Sequence, residues 1–173
     1  MKPALPIAAI AALALGGAAS SRAQDPAEPL YVRHAMLEMV NPAITIIWDI
    51  GNASLNEDGG IDPSQMDDGK WTALAEAGAR LEKSGRAMEN AATLKAAAPD
   101  NMATSEFEVP MSAVQAKIDA DPAGFREEAG AFAKHAAALA SAAAARNDIA
   151  TSELIAQTDA VCASCHARFW YAE

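Results

Sequence analysis

Two cysteines and a histidine near the carboxyl end have the side-chain types and the spacing to act together. The segment Cys162-Ala163-Ser164-Cys165-His166 follows the C-x-x-C-H pattern, in which two thiols bond covalently to a haem and the adjacent imidazole ligates its iron. On a helix, positions i, i+3 and i+4 share one face, so all three side chains would reach the same buried surface. The pattern therefore predicts one covalent haem c, with His166 as an axial iron ligand.

Three other uses of these cysteines are weaker. A disulfide between Cys162 and Cys165 would close a very small loop and leave His166 without a role. A thioredoxin-like redox pair needs a strand-to-helix turn in a βαβ unit, and nothing nearby has a β pattern. A structural zinc site usually needs four protein ligands, whereas the chain has two cysteines, and His34 and His135 lie far away in sequence. Haem attachment is therefore the favoured interpretation.

The amino end has the pattern of an export signal. Lys2 supplies a positive charge, residues 4–19 form a nearly unbroken apolar run, and residues 21–23 (Ser-Arg-Ala) form a small-x-small cleavage site. We therefore expect residues 1–23 to be removed and the mature chain to begin at Gln24. The run is shorter than the roughly 20 residues that span a bilayer, so an integral membrane protein is not expected. Export predicts a periplasmic location and agrees with haem attachment, which bacteria perform outside the cytoplasm.

Residues 24–173 have the size of a single domain with one hydrophobic core. The whole chain has 13 Lys and Arg residues against 23 Asp and Glu residues, and the signal contains two of the basic residues but no acidic one. The mature chain therefore has a formal net charge of −12. This charge argues against nucleic acid and anionic membranes as partners and favours proteins with basic docking surfaces.

The apolar spacing predicts an all-α chain with four long helices. Their expected ranges are 28–50, 63 or 67 to 98, 122–147 and 149–171, with a short additional helix at 111–118. Pro42 should bend the first helix or interrupt its hydrogen bonds. Asp121-Pro122 is a helix start signal. The connection 52–69 is interpreted as a solvated loop, because Ile61 stands where a calcium-binding EF-hand loop needs glycine.

Each predicted helix has one apolar stripe, and the stripe of the last helix contains the haem-attachment residues. The four stripes are Leu30, Met36, Val40, Ile44, Ile47 and Trp48; Trp71, Leu74, Gly78, Leu81, Met88 and Leu94; Phe125, Ala129, Phe132, Ala136 and Leu139; and Ile155, Thr158, Cys162, Cys165, His166 and Phe169. Four antiparallel helices with these stripes predict an up-down-up-down four-helix bundle with the haem among them.

This pattern resembles the class II c-type cytochromes, meaning the cytochrome c-prime group and its low-spin, methionine-ligated relatives. The resemblance covers the mature chain in architecture. In sequence it is specific at residues 162–169 and looser at 36–48, where a methionine, a Val-x-Pro sequence and a tryptophan have the spacing of a periplasmic subgroup. The family implies that His166 is the proximal ligand and that the other face of the haem meets the first helix. It also implies a periplasmic carrier of single electrons rather than an enzyme.

For the sixth iron position the family offers two arrangements. In the low-spin relatives a methionine of the first helix ligates the iron. In the gas-binding cytochromes c-prime an apolar side chain covers this position, and the iron stays five-coordinate. Met36 is the favoured ligand because it matches the subgroup's methionine, and Met39 is the second candidate. If neither ligates, Leu37 or another apolar group covers the iron. The alternative function is then a five-coordinate haem protein that binds nitric oxide or carbon monoxide.

Other residues near these segments have less specific patterns. Arg33 and Phe169 are candidate haem contacts, with Arg33 either pairing with a propionate or lying along the surface, and Arg168 is a further candidate for a propionate. His34 is a further candidate axial ligand, disfavoured because it stands beside the apolar stripe rather than in it. Many cytochromes c-prime have a basic residue four positions after the haem histidine, where this chain has Trp170. A homodimer through the exposed sides of the first two helices stays open.

Overall fold

A computed structural model describes residues 28–105 and 109–171, so the predicted signal at residues 1–23 lies outside the described part. The chain is mostly helical, which confirms the predicted all-α class. In order, its elements are β1 (Leu30–Tyr31), α1 (Val32–Ala35), a π-helical segment (Met36–Val40), α2 (Asn41–Ala53), a 3-10 turn (Pro63–Gln65), α3 (Asp68–Asn90), β2 (Leu94–Lys95), a second 3-10 turn (Pro99–Asn101), α4 (Met111–Ala120), α5 (Pro122–Ala144) and α6 (Asp148–Phe169). Within the described ranges, no helix has both the length and the apolar character needed to cross a membrane.

The first long helix contains a π-helical turn just before its proline. α1, the π segment and α2 follow one another without a break, and the N–H of Asn41 donates to the carbonyl of Met36, five residues back. Pro42 has no N–H to donate, so the regular pattern of hydrogen bonds cannot pass through it. Of the two predicted effects of Pro42, the structure shows the interrupted hydrogen bonding, while the helix itself continues. The predicted start at residue 28 is wrong, because Leu30–Tyr31 forms a strand.

The second long helix ends earlier than predicted. Asp67 caps α3 by accepting the N–H of Lys70 at 2.7 Å, but α3 ends at Asn90 and not at residue 98. Beyond it, β2 pairs in parallel with β1, and the N–H of Ala96 donates to the side-chain oxygen of Gln115 at 2.8 Å. These tertiary partners satisfy the backbone in place of helical hydrogen bonds. The helix propensity of these residues contributes less free energy than the hydrogen bonds to these partners, so the helix does not continue.

The carboxyl-terminal helices begin at the residues whose side chains cap them. Asp121 accepts the N–H of Gly124 at 2.9 Å, and Asn147 accepts the N–H of Ala150 at 3.0 Å. The turn between α5 and α6 places Arg146 in the left-handed region, with φ of 54°. The predicted short helix is confirmed as α4, and α5 and α6 each end two or three residues before the predicted end.

The long helices pack side by side, with α3 against α5, α5 against α6, and α2 against both α3 and α6. Gly78 and Gly85, seven residues apart, face Ala140 and Ala133, so α3 and α5 run antiparallel at backbone contact. The predicted stripes supply most of the core. The buried members include Val40, Ile44, Ile47, Trp71, Leu74, Leu81, Met88, Phe125, Ala129, Phe132, Ala136, Leu139 and Phe169.

Candidate functional site

The three residues of the predicted attachment site line one cavity. Cys162, Cys165 and His166 lie near the carboxyl end of α6, are half-buried, and border a cavity of about 350 Å³. Both cysteines are free thiols. Ligand pockets in proteins have volumes of about 300–1,000 Å³, so the space is large enough to be a binding site. The helical spacing of the three residues thus brings both thiols and the imidazole to one space.

The cavity walls are mostly apolar and come from the other long helices. Buried and half-buried hydrophobic side chains from the first helix, α3 and α5 surround the space; they are Val40, Ile44, Leu81, Met88, Phe125, Ala129 and Phe132. The polar groups at its border are Asn41, Glu128 and Asp159, together with the ends of Trp48 and Tyr171. A mostly apolar space with a few polar groups is typical of sites that bind small molecules or cofactors.

Met36 lines the same cavity from the π segment, whereas its two competitors do not. Leu37 is 46% exposed, and neither Leu37 nor Met39 belongs to the cavity wall. A π turn contains more residues than an α turn, so it rotates the residues before it relative to those after it. Met36 lies on the same side as Val40 and Ile44, which also line the cavity, as the predicted apolar stripe requires. π turns of this kind are frequent at functional sites.

Burial sets the protonation of the three α6 side chains. It raises the pKa of Cys162, with a smaller contribution from Asp159, and it raises the pKa of Cys165 to about 12, with Glu128 adding to the shift. Both thiols are therefore protonated at neutral pH. Burial lowers the pKa of His166, so its imidazole is neutral at pH 7. Neutral imidazole is the form that ligates metals.

An ionic cluster fixes this end of α6 against α5. Arg168 pairs with Asp121 and, at 3.6 Å, with Glu128, while the hydroxyl of Ser164 donates to Glu128 at 3.1 Å. The pKa of Asp121 is lowered first by the N–H of Gly124 and then by Arg168. Glu128 is thus held by two residues of α6 that flank His166. The cluster positions the attachment segment along the cavity.

The other candidate residues lie away from the cavity wall. Arg33 donates to the carbonyls of Asn101 and Ala103, at 3.2 and 2.7 Å. His34 is exposed on α1. Phe169 is buried behind the wall, edge-to-face with Phe125 at 5.3 Å between ring centroids. The structure therefore brings Met36 to the attachment residues and leaves Arg33, His34 and Phe169 outside the lining.

Two features of the site were not predicted from the sequence. Glu128 stands next to Ala129 of the apolar stripe, and a carboxylate beside a stripe gives only a weak signal that it borders a cavity. The second feature is the placing of the aromatic end of α6 around His166. The Trp170 and Tyr171 rings lie 6.2 and 6.0 Å from the His166 ring, between centroids. Both follow His166 closely in sequence, so helix periodicity offered some indication of this.

The side chains at the cavity could supply only a few of a metal's ligands, so they fit a metal that is already held by a cofactor. In the described residues, no three His, Cys, Asp or Glu side chains converge to hold an ion. One imidazole, two thiols and one thioether at the same apolar cavity fit a covalently attached iron porphyrin, because the porphyrin supplies four nitrogens itself. In comparisons with protein-family models, curated proteins and solved structures, nothing matches this chain.

Proposed function

We propose that this protein is a periplasmic monohaem c-type cytochrome that carries single electrons between redox proteins. The observation that carries the proposal is the meeting of Cys162, Cys165, His166 and Met36 at one apolar cavity of about 350 Å³. The spacing of the first three residues is local and follows from the motif. The approach of Met36 from another helix is independent of the motif.

Each side chain has a distinct task in this proposal. Cys162 and Cys165 hold the haem covalently as thioethers, so the cofactor stays with the protein in both oxidation states. His166, whose imidazole is neutral, would offer a ring nitrogen to the iron of a bound haem, and the Met36 sulfur would offer a second ligand. The bound haem supplies a one-electron Fe(III)/Fe(II) couple. The apolar walls exclude water and thereby influence the reduction potential.

The proposed architecture is an antiparallel four-helix bundle formed by the first long helix, α3, α5 and α6. The antiparallel pairs of small residues between α3 and α5 support it. So does the order of contacts between α5 and α6, where Glu128 meets Ser164 and His135 meets Thr158. Bundle interiors are regular sites for cofactors held by side chains on facing helices.

Mass spectrometry of the exported protein tests the proposal directly. We expect the mature chain, beginning at Gln24, to have the added mass of one haem. Cys162→Ala together with Cys165→Ala should remove that added mass. A mature protein that never contains haem would contradict the proposal.

Absorption spectra of Met36→Ala and Met39→Ala separate an electron carrier from a gas-binding protein. We expect a low-spin native spectrum with the weak near-infrared band of thioether-ligated ferric haem. Met36→Ala should lose this band and bind carbon monoxide rapidly, whereas the matched variant Met39→Ala should keep it. A native protein that is already high-spin would instead support the five-coordinate gas-binding function.

A further inference from the structure

Charge is distributed unevenly over the described chain. The two segments 36–69 and 147–167 contain ten Asp and Glu residues and no Lys or Arg, although the mature chain has 11 basic residues in all. These two segments are neighbours in the fold. α2 packs on α6, and the connection after α2 reaches α6 where the N–H of Ile61 donates to the hydroxyl of Ser152 at 2.8 Å. We call the surface formed by residues 36–69 and 147–167 the acidic face.

Carboxylates of the acidic face are mostly not neutralised by neighbouring cations. Within residues 28–105 and 109–171, the exposed Glu38, Asp49, Glu153 and Asp159 form no ion pair with Lys or Arg. Elsewhere, several acidic side chains have basic partners, as Glu76 has in Arg80 and Asp121 has in Arg168. The face therefore presents a negative potential that its own side chains leave largely unbalanced.

An apolar patch lies on this acidic face. Trp48 is 41% exposed, and it lines both the main cavity and a smaller one of about 180 Å³ between α2, its following connection and α6. Leu55, which also lines the smaller cavity, is 52% exposed. Tryptophan is enriched among the residues that contribute most of the binding energy at protein interfaces. Trp48 also connects this surface to the wall of the main cavity.

We propose that the acidic face is the docking surface for a redox protein that presents lysine or arginine side chains, with Trp48 at the centre of the contact. This inference rests on the proposed function, since a docked partner would then lie next to the haem cavity. Complementary charge would guide the encounter, and the Trp48 patch would supply the short-range contact. A second copy of the chain, or an anionic membrane, would place like charges opposite this face.

The first test maps the contact on the haem-loaded protein. A lysine-rich c-type cytochrome is added in steps while nuclear magnetic resonance spectra are recorded at low ionic strength. We expect the indole N–H signal of Trp48 and the backbone signals of Asp49 and Glu153 to shift, and the signal of the buried Trp71 to stay unchanged. Shifts confined to α3 and α5, or shifts with protein concentration alone, would overturn the proposal; the latter would identify a second copy as the occupant.

The second test compares two double variants with the same change of charge. Asp49→Asn with Glu153→Gln removes two carboxylates from the acidic face, and Asp100→Asn with Glu76→Gln removes two exposed ones elsewhere. At low ionic strength, we expect the first pair to lower the second-order rate constant with the lysine-rich cytochrome by about three- to tenfold, and the control pair by less than about twofold. Equal losses would show that only net charge matters and would overturn the proposal.

Two measurements keep this inference distinct from the proposed function. Reduction by an uncharged hydroquinone should proceed at the same rate in the wild type and both double variants, because no complementary surface is needed. Failure of the wild type to accept electrons from the hydroquinone would contradict the electron-carrier function. The magnetic resonance titration needs no electron transfer, so it decides whether the face docks a basic protein in that case as well.

Discussion

The seam between α3 and α5 and the seam between α2 and α6 are built from different side chains. In the first, Gly78 and Gly85 let the two backbones touch, and a Cβ placed on Gly85 would lie 2.8 Å from the Cβ of Ala133. In the second, a Cβ placed on Gly51 would lie 3.7 Å from Ile155, which is an ordinary contact, and a cavity opens between the same helices. Helices in backbone contact leave no room for a cofactor, so the site lies where larger side chains keep the helices apart.

Removal of the cofactor should show the largest difference between the two seams. In Cys162→Ala with Cys165→Ala, we expect the amides of α6 that border the cavity to exchange with solvent about 100-fold faster, which is about 3 kcal/mol of local stability. The amides of α3 and α5 at their contact should change far less, because that packing involves no cofactor. Hydrogen exchange measured by mass spectrometry checks this. Equal loss of protection in all helices would show that the seams are not independent.

Gly→Ala substitution compares the seams directly. Gly85→Ala should lower the free energy of unfolding by about 1–3 kcal/mol, because the added methyl group meets the backbone of Ala133. Gly51→Ala should instead raise it by about 0.5 kcal/mol, since alanine favours the helix and the space beside Ile155 accepts it. Urea denaturation of both variants measures the difference. If both substitutions changed the free energy of unfolding in the same direction, the two helix contacts would not differ in the space they leave for a methyl group.

The smallest expected effect concerns the seam between α5 and α6, where His135 lies 3.0 Å from the hydroxyl of Thr158. Burial lowers the pKa of His135, and a hydrogen bond to the Leu154 backbone offsets this in part. The unfolded chain, with a histidine pKa of about 6.5, then binds a proton at higher pH than the folded chain does. Stability from this group is therefore complete above about pH 6.5 and falls as the pH drops through the folded pKa.

Urea midpoints measured between pH 8 and pH 5 test this dependence. His135→Gln should flatten the decline below about pH 6.5, while Lys134→Gln, an exposed neighbour on α5, should leave it as in the wild type. If the urea midpoint of His135→Gln falls as steeply with decreasing pH as that of the wild type, the pH dependence comes from other groups.

Features that depend on neighbouring residues could be predicted from the sequence. The C-x-x-C-H spacing placed Cys162, Cys165 and His166 on one face of a helix, because helical periodicity is a local property. Asp121 was correctly predicted as a cap, and Pro42 as an interruption of the hydrogen bonding, for the same reason. The apolar stripes predicted most of the core, since a helix must bury its apolar side wherever it packs.

Features that depend on distant residues were decided by the tertiary structure. α3 ends at Asn90 because β2 and Ala96 find hydrogen-bond partners far away in sequence. Helix periodicity placed Met36 in the apolar stripe and favoured it over Met39, but only the packing of the first helix against α6 brings Met36 to the same cavity as the α6 residues. The same holds for Glu128, which lies beside the α6 segment. Each arises where two helices meet, and the relative placement of helices is set by long-range packing that no local pattern encodes.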